Sequence, residues 1–168
     1  MATSEFVPFG GQQVKTVIVV SSHKGNTRRI ADAIAEQLKS HGSSEVVPVE
    51  AAASAVARDV DLLFVGSPTE GHGMTPEMRA YLDSLSVGTV RDRPVAAFDT
   101  RLAWPRILSG SAADNISSKL ARLGAQVIDP AGSFIVSAAP ELQPGEIERA
   151  REWAESVAAQ AGKVAVPA

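Results

Sequence analysis

Two nearly continuous apolar runs, Lys15-Thr-Val-Ile-Val-Val20 and Val60-Asp-Leu-Leu-Phe-Val-Gly66, constrain this chain more than any other feature. A strand without hydrophobic–polar alternation needs cover on both faces, which a parallel sheet between helices provides. Helical periodicity follows each run. Ile30, Ile34 and Leu38 recur at fourfold spacing between Thr27 and about His41, and Gly42 ends that helix. Thr75-Pro76-Glu77 supplies a cap, a proline at the first helical position and an acid in the first turn. Met78, Tyr81, Leu82 and Leu85 then form an inward stripe.

The remaining segments repeat the alternation. Val46–Val49 reads as a second strand, Ala51–Arg58 as a short helix or turn, and Pro94–Phe98 as a fourth strand. A helix from about Ser111 turns Ile116, Leu120 and Leu123 inward and closes at Gly124. Gln126–Ile128 and Phe134–Val136 form a fifth strand region interrupted by Pro130 and Gly132. A last helix, Gly145–Ala161, faces in with Ile147, Ala150, Trp153, Ala154 and Val157. Strand and helix alternating five times predict an α/β doubly wound five-stranded parallel sheet with helices on both faces. Residues 14–162 form the domain in this reading. Residues 1–13 are a loose arm hinged at Gly10-Gly11, and residues 163–168 a frayed tail.

Composition excludes several functions. The chain has no cysteine, so thiol nucleophiles, disulfides and cysteine-ligated metals are ruled out, and redox chemistry has to come from a cofactor. A formal net charge of -3 gives no basis for nucleic-acid binding. No apolar run approaches the roughly 18 residues of a membrane span. Met1–Gln13 has neither a basic start nor an apolar core, so a cytoplasmic location is expected. Three scattered histidines do not make a metal site. There is no Gly-x-x-x-x-Gly-Lys-Ser/Thr run and no Gly-x-Ser-x-Gly elbow. The Gly71-x-Gly73 pair follows the third strand, whereas a dinucleotide fingerprint follows the first. A phosphorylated receiver domain needs acids at the ends of strands one and three, where this chain has Ser21-Ser22 and Gly66-Ser67.

Ligands of open α/β sheets sit beyond the carboxyl ends of the strands. Here those are the segments Ser21–Thr27, Ser67–Met74 and Asp99–Ser109. The first opens straight into a helix, whose start offers unpaired N–H groups and partial positive charge. Gly25 allows close approach to an anion. Ser22, Asn26 and Thr27 add polar side chains, and Lys24 a full charge. An ordinary strand–helix turn capped by Asn26 or Thr27 is the competing reading.

Ser22-x-x-Gly25-Asn26-Thr27, placed between a strand and a helix, resembles the phosphate signature of the flavodoxin family. Gly66-Ser67-Pro68-Thr69-x-Gly71 resembles that family's third strand and first flavin-contacting loop. The resemblance spans roughly residues 14–160 and matches the short-chain form. It implies strand order 2-1-3-4-5 and an FMN cofactor at the switch point, the arrangement for which flavodoxin is a standard example. By resemblance, Ser22, Gly25, Asn26 and Thr27 hold the FMN phosphate, and His23 and Lys24 in the same loop are further cofactor-binding candidates. Ser67, Pro68, Thr69 and Gly71 border the ring system, with Thr100 and the backbone after Asp99 on its other side.

The chain also departs from the family. Lys24 replaces the usual threonine, and Ser67–Met74 contains no aromatic. Trp104 is the available aromatic for stacking on a flat ring, the alternative being that it packs beneath its own loop beside Pro105. His23, Lys24, Arg28, Arg29, Arg101 and Arg106 gather at this end against Glu70 and Asp99. One close exposed charge, worth about 1 kcal/mol, corresponds to roughly 40 mV for one electron. The expected flavin is therefore less strongly reducing than is typical of the family. Three functions are consistent with these residues. The first is an FMN-binding electron carrier that serves transient redox partner proteins. The second is an FMN-dependent NAD(P)H or quinone oxidoreductase with space above Glu70–Gly73. The third is an interaction domain that has lost flavin.

Overall fold

The structure is a computed structural model that describes residues 8–165. Met1–Val7 of the expected arm and residues 166–168 of the expected tail lie outside the described residues. Pro8–Gly11 forms a 3-10 turn, with Phe9 packed against the core.

Strand β1 (Val14–Val20) leads into helix α1 (Asn26–Leu38), and a 3-10 turn over Lys39–His41 precedes β2 (Gly42–Pro48). The one-turn helix α2 (Ser54–Arg58) precedes β3 (Leu62–Pro68), α3 (Pro76–Ser84) and the short α4 (Val87–Val90). Then come β4 (Pro94–Leu102), the single turn α5 (Arg106–Ser109) and α6 (Ala112–Arg122). Strands β5 (Gln126–Val127) and β6 (Gly132–Val136) lead to α7 (Glu146–Ala165). The order β2-β1-β3-β4-β5 is entirely parallel, as expected, and β6 also pairs with β4. The interrupted fifth strand is thus two pieces on one neighbour: Val95 faces Val127, and Thr100 faces Phe134.

Alternate residues of the central strands supply two cores. Val17, Val19, Leu63, Val65, Val95 and Ala97 pack beneath α3 and α6. Ile18, Val20, Leu62, Phe64, Ala96 and Phe98 pack beneath α1 and α7. This two-sided burial explains why β1 and β3 have no polar alternation. Trp153 belongs to the second core. Its ring meets Phe64, Phe98 and Phe134 edge-on at centroid distances of 5.5, 6.1 and 5.9 Å, and its Nε1 donates to the Pro130 carbonyl.

Two boundaries differ from expectation in ways that matter. Strand β2 begins at Gly42 rather than Val46, because an edge strand can carry the polar Ser43–Glu45 on its exposed positions. Strand β4 continues four residues past Phe98, because Thr100–Leu102 find ladder partners in β6. Asp99 and Thr100 therefore belong to a strand, and the loop expected from Asp99 starts only at Ala103. Among the described residues no helix is long and apolar enough to cross a membrane.

Candidate functional site

At the end of β1 the Ser21 N–H donates to the Gly66 carbonyl, and the Ser21 hydroxyl pairs with that of Thr75 at 2.7 Å in a buried contact. The chain then turns through Gly25, whose φ of 89° is left-handed. Gly25 holds the cap position of α1 and has no side chain with which to cap it. Among the described residues, the N–H groups of His23 to Thr27 donate to no acceptor, and only Ser22 Oγ turns inward, to the Arg28 N–H. The thirteen-residue helix thus presents its positive end uncapped. This overturns the ordinary capped-turn reading. The Thr27 hydroxyl instead pairs with Thr100 at 2.7 Å, and the Asn26 amide donates to the Pro140 carbonyl. Both side chains tie the loop to the far wall of the site and leave its backbone to meet an anion.

A cleft of about 290 Å³ opens beside this turn. Lys24, Asn26 and Thr27 line one end, Pro68–Glu70 one wall and Thr100–Leu102 the other. Val136–Ala138 and Pro140 close it. That last segment was missed in the sequence, although it follows the carboxyl end of β6 and so belongs to the same rim. A second cleft of about 190 Å³ shares Thr69, Arg101 and Leu102 with the first, and adds Gly71, His72, Trp104 and Leu108.

Most sequence-predicted residues gather here, and several have structural duties of their own. Ser67 is fully buried. Its hydroxyl accepts from the Thr75 N–H and donates to the Pro68 carbonyl, so it fastens the start of α3 rather than facing the cleft. Gly71 and His72, both at positive φ, form a two-residue turn between Glu70 and Gly73, which exchange backbone hydrogen bonds. Trp104 neither packs beneath its loop nor enters the first cleft; it stands 59% exposed on the wall of the second.

Asp99 organises the wall between the clefts. One carboxylate oxygen accepts from Ser111 Oγ, the Ala113 N–H and Thr69 Oγ1, and the other from Ser133 Oγ at 2.6 Å. Ser133 in turn accepts from Arg101 Nε, and the Arg101 guanidinium reaches the carbonyls of Leu102 and Trp104.

His23 bridges two neighbouring elements. Its Nδ1 lies 2.9 Å from Glu70 Oε1 and its Nε2 lies 3.3 Å from Glu77 Oε2. Both ring nitrogens donate at once only in the imidazolium form. Partial desolvation opposes that charge, but attraction and hydrogen bonding from Glu70 and Glu77 outweigh it and raise the His23 pKa above its ordinary value. The sign follows directly. The stabilisation is fully present below the unfolded-state pKa of about 6.5, and is lost as pH rises through the higher folded-state value. The thermal midpoint of the wild type is expected to fall across that window relative to His23→Gln. Parallel pH profiles for the two proteins would exclude the clasp.

The gathering of positive charge is smaller than the sequence implies. His23 is engaged by two glutamates, Arg28 by Asp32 at 2.9 Å and Arg106 by Asp114 at 3.6 Å. Among the described residues, Lys24, Arg29 and Arg101 have no carboxylate within ion-pair distance.

A parallel doubly wound sheet with free N–H groups at a helix start, opening on a cleft at the switch point of strand order, defines a doubly wound α/β protein of the kind that binds ligands at this rim. The family model described as a flavodoxin domain matches residues 17–124. The chain belongs to the flavodoxin-domain family. Solved structures carry the same fold. A flavodoxin from the domain Archaea superposes with a TM-score of 0.74 at 20% identity, covering 88% of this chain and 98% of that one. Oxidised flavodoxin 1 from Bacillus cereus gives 0.72 at 20% identity, covering 85% and 96%. Rubredoxin oxygen:oxidoreductase from Desulfovibrio gigas gives 0.73 at 18% identity, with 95% of this chain matching 39% of that larger protein. No curated protein matches the chain by sequence.

Proposed function

We propose that the chain binds FMN in the first cleft and carries electrons between transient redox partner proteins. The observation that carries this reading is the uncapped start of α1, with free N–H groups from His23 to Thr27 beside a cleft walled by β3 and β4. The donor set fits a phosphate: backbone N–H groups, the Lys24 ammonium and open space at the Gly25 Cβ position. Pro68, Thr69, Thr100 and Leu102 would wall the ring system, which suits the mixed apolar and hydroxyl lining. Bound there, the flavin supplies the electron-transfer chemistry that no side chain of this cysteine-free protein offers. The protein's own contribution is to grip the phosphate, hold the ring between two strand ends and leave one edge open. Family membership supports a flavin; the choice of FMN rests on the phosphate-type donor set. The cysteine-free composition supports a cytoplasmic setting.

Titration of the flavin-free protein into FMN, with riboflavin as control, tests the reading. Tight quenching of FMN fluorescence and a much weaker riboflavin response are expected. Lys24→Ala should weaken FMN about fivefold, the equivalent of about 1 kcal/mol for one exposed charge, and leave riboflavin unchanged. Equal responses to both flavins would contradict a phosphate grip. Silence with both would move the interaction-domain reading to first place. The second cleft favours one alternative, an FMN-dependent NAD(P)H or quinone oxidoreductase, because it offers space next to the ring site. Rapid NAD(P)H oxidation by the FMN-loaded protein would select it.

A further inference from the structure

Within five residues, Trp104, Ile107 and Leu108 expose large apolar side chains, at 59%, 92% and 60%. Soluble proteins bury such a cluster unless something binds it. The segment is not a dangling loop. Gly110 abuts the His72 backbone so closely that no Cβ fits, and its N–H donates to the Arg106 carbonyl. Arg101 holds the Trp104 carbonyl at 2.9 Å. The apolar groups are therefore displayed by an anchored turn. Trp104 and Leu108 also line the second cleft, which places the display on the open lip of the candidate cofactor site.

The charge around this face is mainly, not wholly, positive. From Thr100 to Ala113 the chain carries Arg101 and Arg106 and no carboxylate, within a protein of net charge -3. Asp114, just outside the segment, pairs with Arg106 at 3.6 Å, so the cationic edge rests on Arg101 and Lys24. Lys24, on the opposite lip, has no carboxylate within ion-pair distance among the described residues. Glu70, the acid nearest the cleft, is engaged by His23. From the apolar centre and cationic edge we infer that residues 102–108 form the docking face for an electron-exchanging protein with complementary chemistry, apolar at its centre and carboxylate-rich at its rim. Tryptophan and arginine are the side chains that most often anchor such contacts. A lipid surface fits less well. Interfacial binding needs a long amphipathic helix with a broad basic face, and α5 is a single turn. The inference rests on the electron-carrier reading: the docked partner's redox centre is reduced as the reduced flavin is oxidised, at the edge beside Trp104.

Two immobilised probes test it, an acidic b-type cytochrome and a basic c-type cytochrome, with the full chain bound in the presence and absence of FMN. Binding to the acidic probe should exceed binding to the basic one at least about tenfold at ~10 mM salt and vanish at ~500 mM. Ile107→Glu, at a position that lines neither cleft, should lower acidic-probe binding about tenfold while FMN quenching stays unchanged. In stopped flow, the reduced FMN-loaded protein should reduce the acidic probe faster, with the same salt and variant dependence. Preference for the basic probe, or no effect of Ile107→Glu, would overturn the inference. So would retention on phosphatidylserine vesicles without acidic-probe binding. Failure to bind FMN would count against the cofactor reading alone, because probe binding by the flavin-free chain still decides the docking face.

Discussion

Replacing Gly66 by alanine is expected to cost about 3 kcal/mol of folding stability, the upper part of the usual range for forcing atoms into a packed core. Gly66 lies in β3, paired in register with Phe98 of β4. A Cβ at this position would enter the Phe98 ring, closer to three of its carbons than the 3.0 Å that real Cβ atoms respect. The ring has little room to yield. Phe98 is fully buried and meets Trp153 edge-on at 6.1 Å, and Trp153 is itself fixed against Phe64 and Phe134. Close-packed interiors answer such an insertion by shifting backbone or leaving rotamer minima. Against a typical total of about 5–15 kcal/mol the loss is large. With a urea slope of about 2 kcal/mol/M, the unfolding midpoint should fall by about 1.5 M. Phe98→Leu in the same chain should recover part of the loss by opening space above the strand. A Gly66→Ala midpoint within 0.2 M of wild type, about 0.4 kcal/mol on that slope, would show that the ring moves aside freely.

Gly66 also shows where sequence reading reaches its limit. That β3 is a strand, and that helices cover both its faces, follows from local apolar periodicity. So do the order of elements, the Thr75 cap, which accepts from the Met78 N–H, and the core position of Trp153. The tight strand-to-helix turn at Ser22–Thr27 was equally legible, because its backbone geometry is dictated by contiguous residues. What depends on partners distant in sequence was not. Phe98 over Gly66, the extension of β4 along β6 and the Asn26 bond to Pro140 each join segments at least 30 residues apart. Side-chain destinations were the least legible. Ser67 and Thr27 carry hydroxyls suited to a ligand, yet both are used inside the protein, on Thr75 and Thr100. The positive charge of the site end was overestimated partly for the same reason, because the glutamates that meet His23 come from beyond β3, whereas the Arg28–Asp32 pair, four residues apart on α1, was there to be read.

The largest functional consequence of such distant partnering is expected at Asp99. Its side chain is fully buried and accepts from Ser111, Ala113, Thr69 and Ser133. The four partners belong to three different parts of the site. Ser111 caps α6 by accepting from the Asp114 N–H, and Ala113 lies in that helix's first turn. Thr69 lines both clefts, and Ser133 carries the bond from Arg101. Removing the carboxylate in Asp99→Ala leaves these donors without their acceptor in a region closed to water. By analogy with broken buried polar networks, the cost should be about 3–5 kcal/mol. Asp99→Asn keeps the volume but turns N–H donors toward donors, so an intermediate loss of about 1–3 kcal/mol is expected. The two variants separate stability from function. In Asp99→Asn the fold should survive, while Thr69 and Arg101 lose the group that positions them on the cleft walls. FMN affinity should then fall about tenfold, with riboflavin falling in proportion, because the ring walls rather than the phosphate turn are disturbed. A selective loss of FMN over riboflavin would instead place the effect of Asp99 at the phosphate. Unchanged urea midpoints for both variants would mean that water replaces the carboxylate without cost, and the network would then not organise the site.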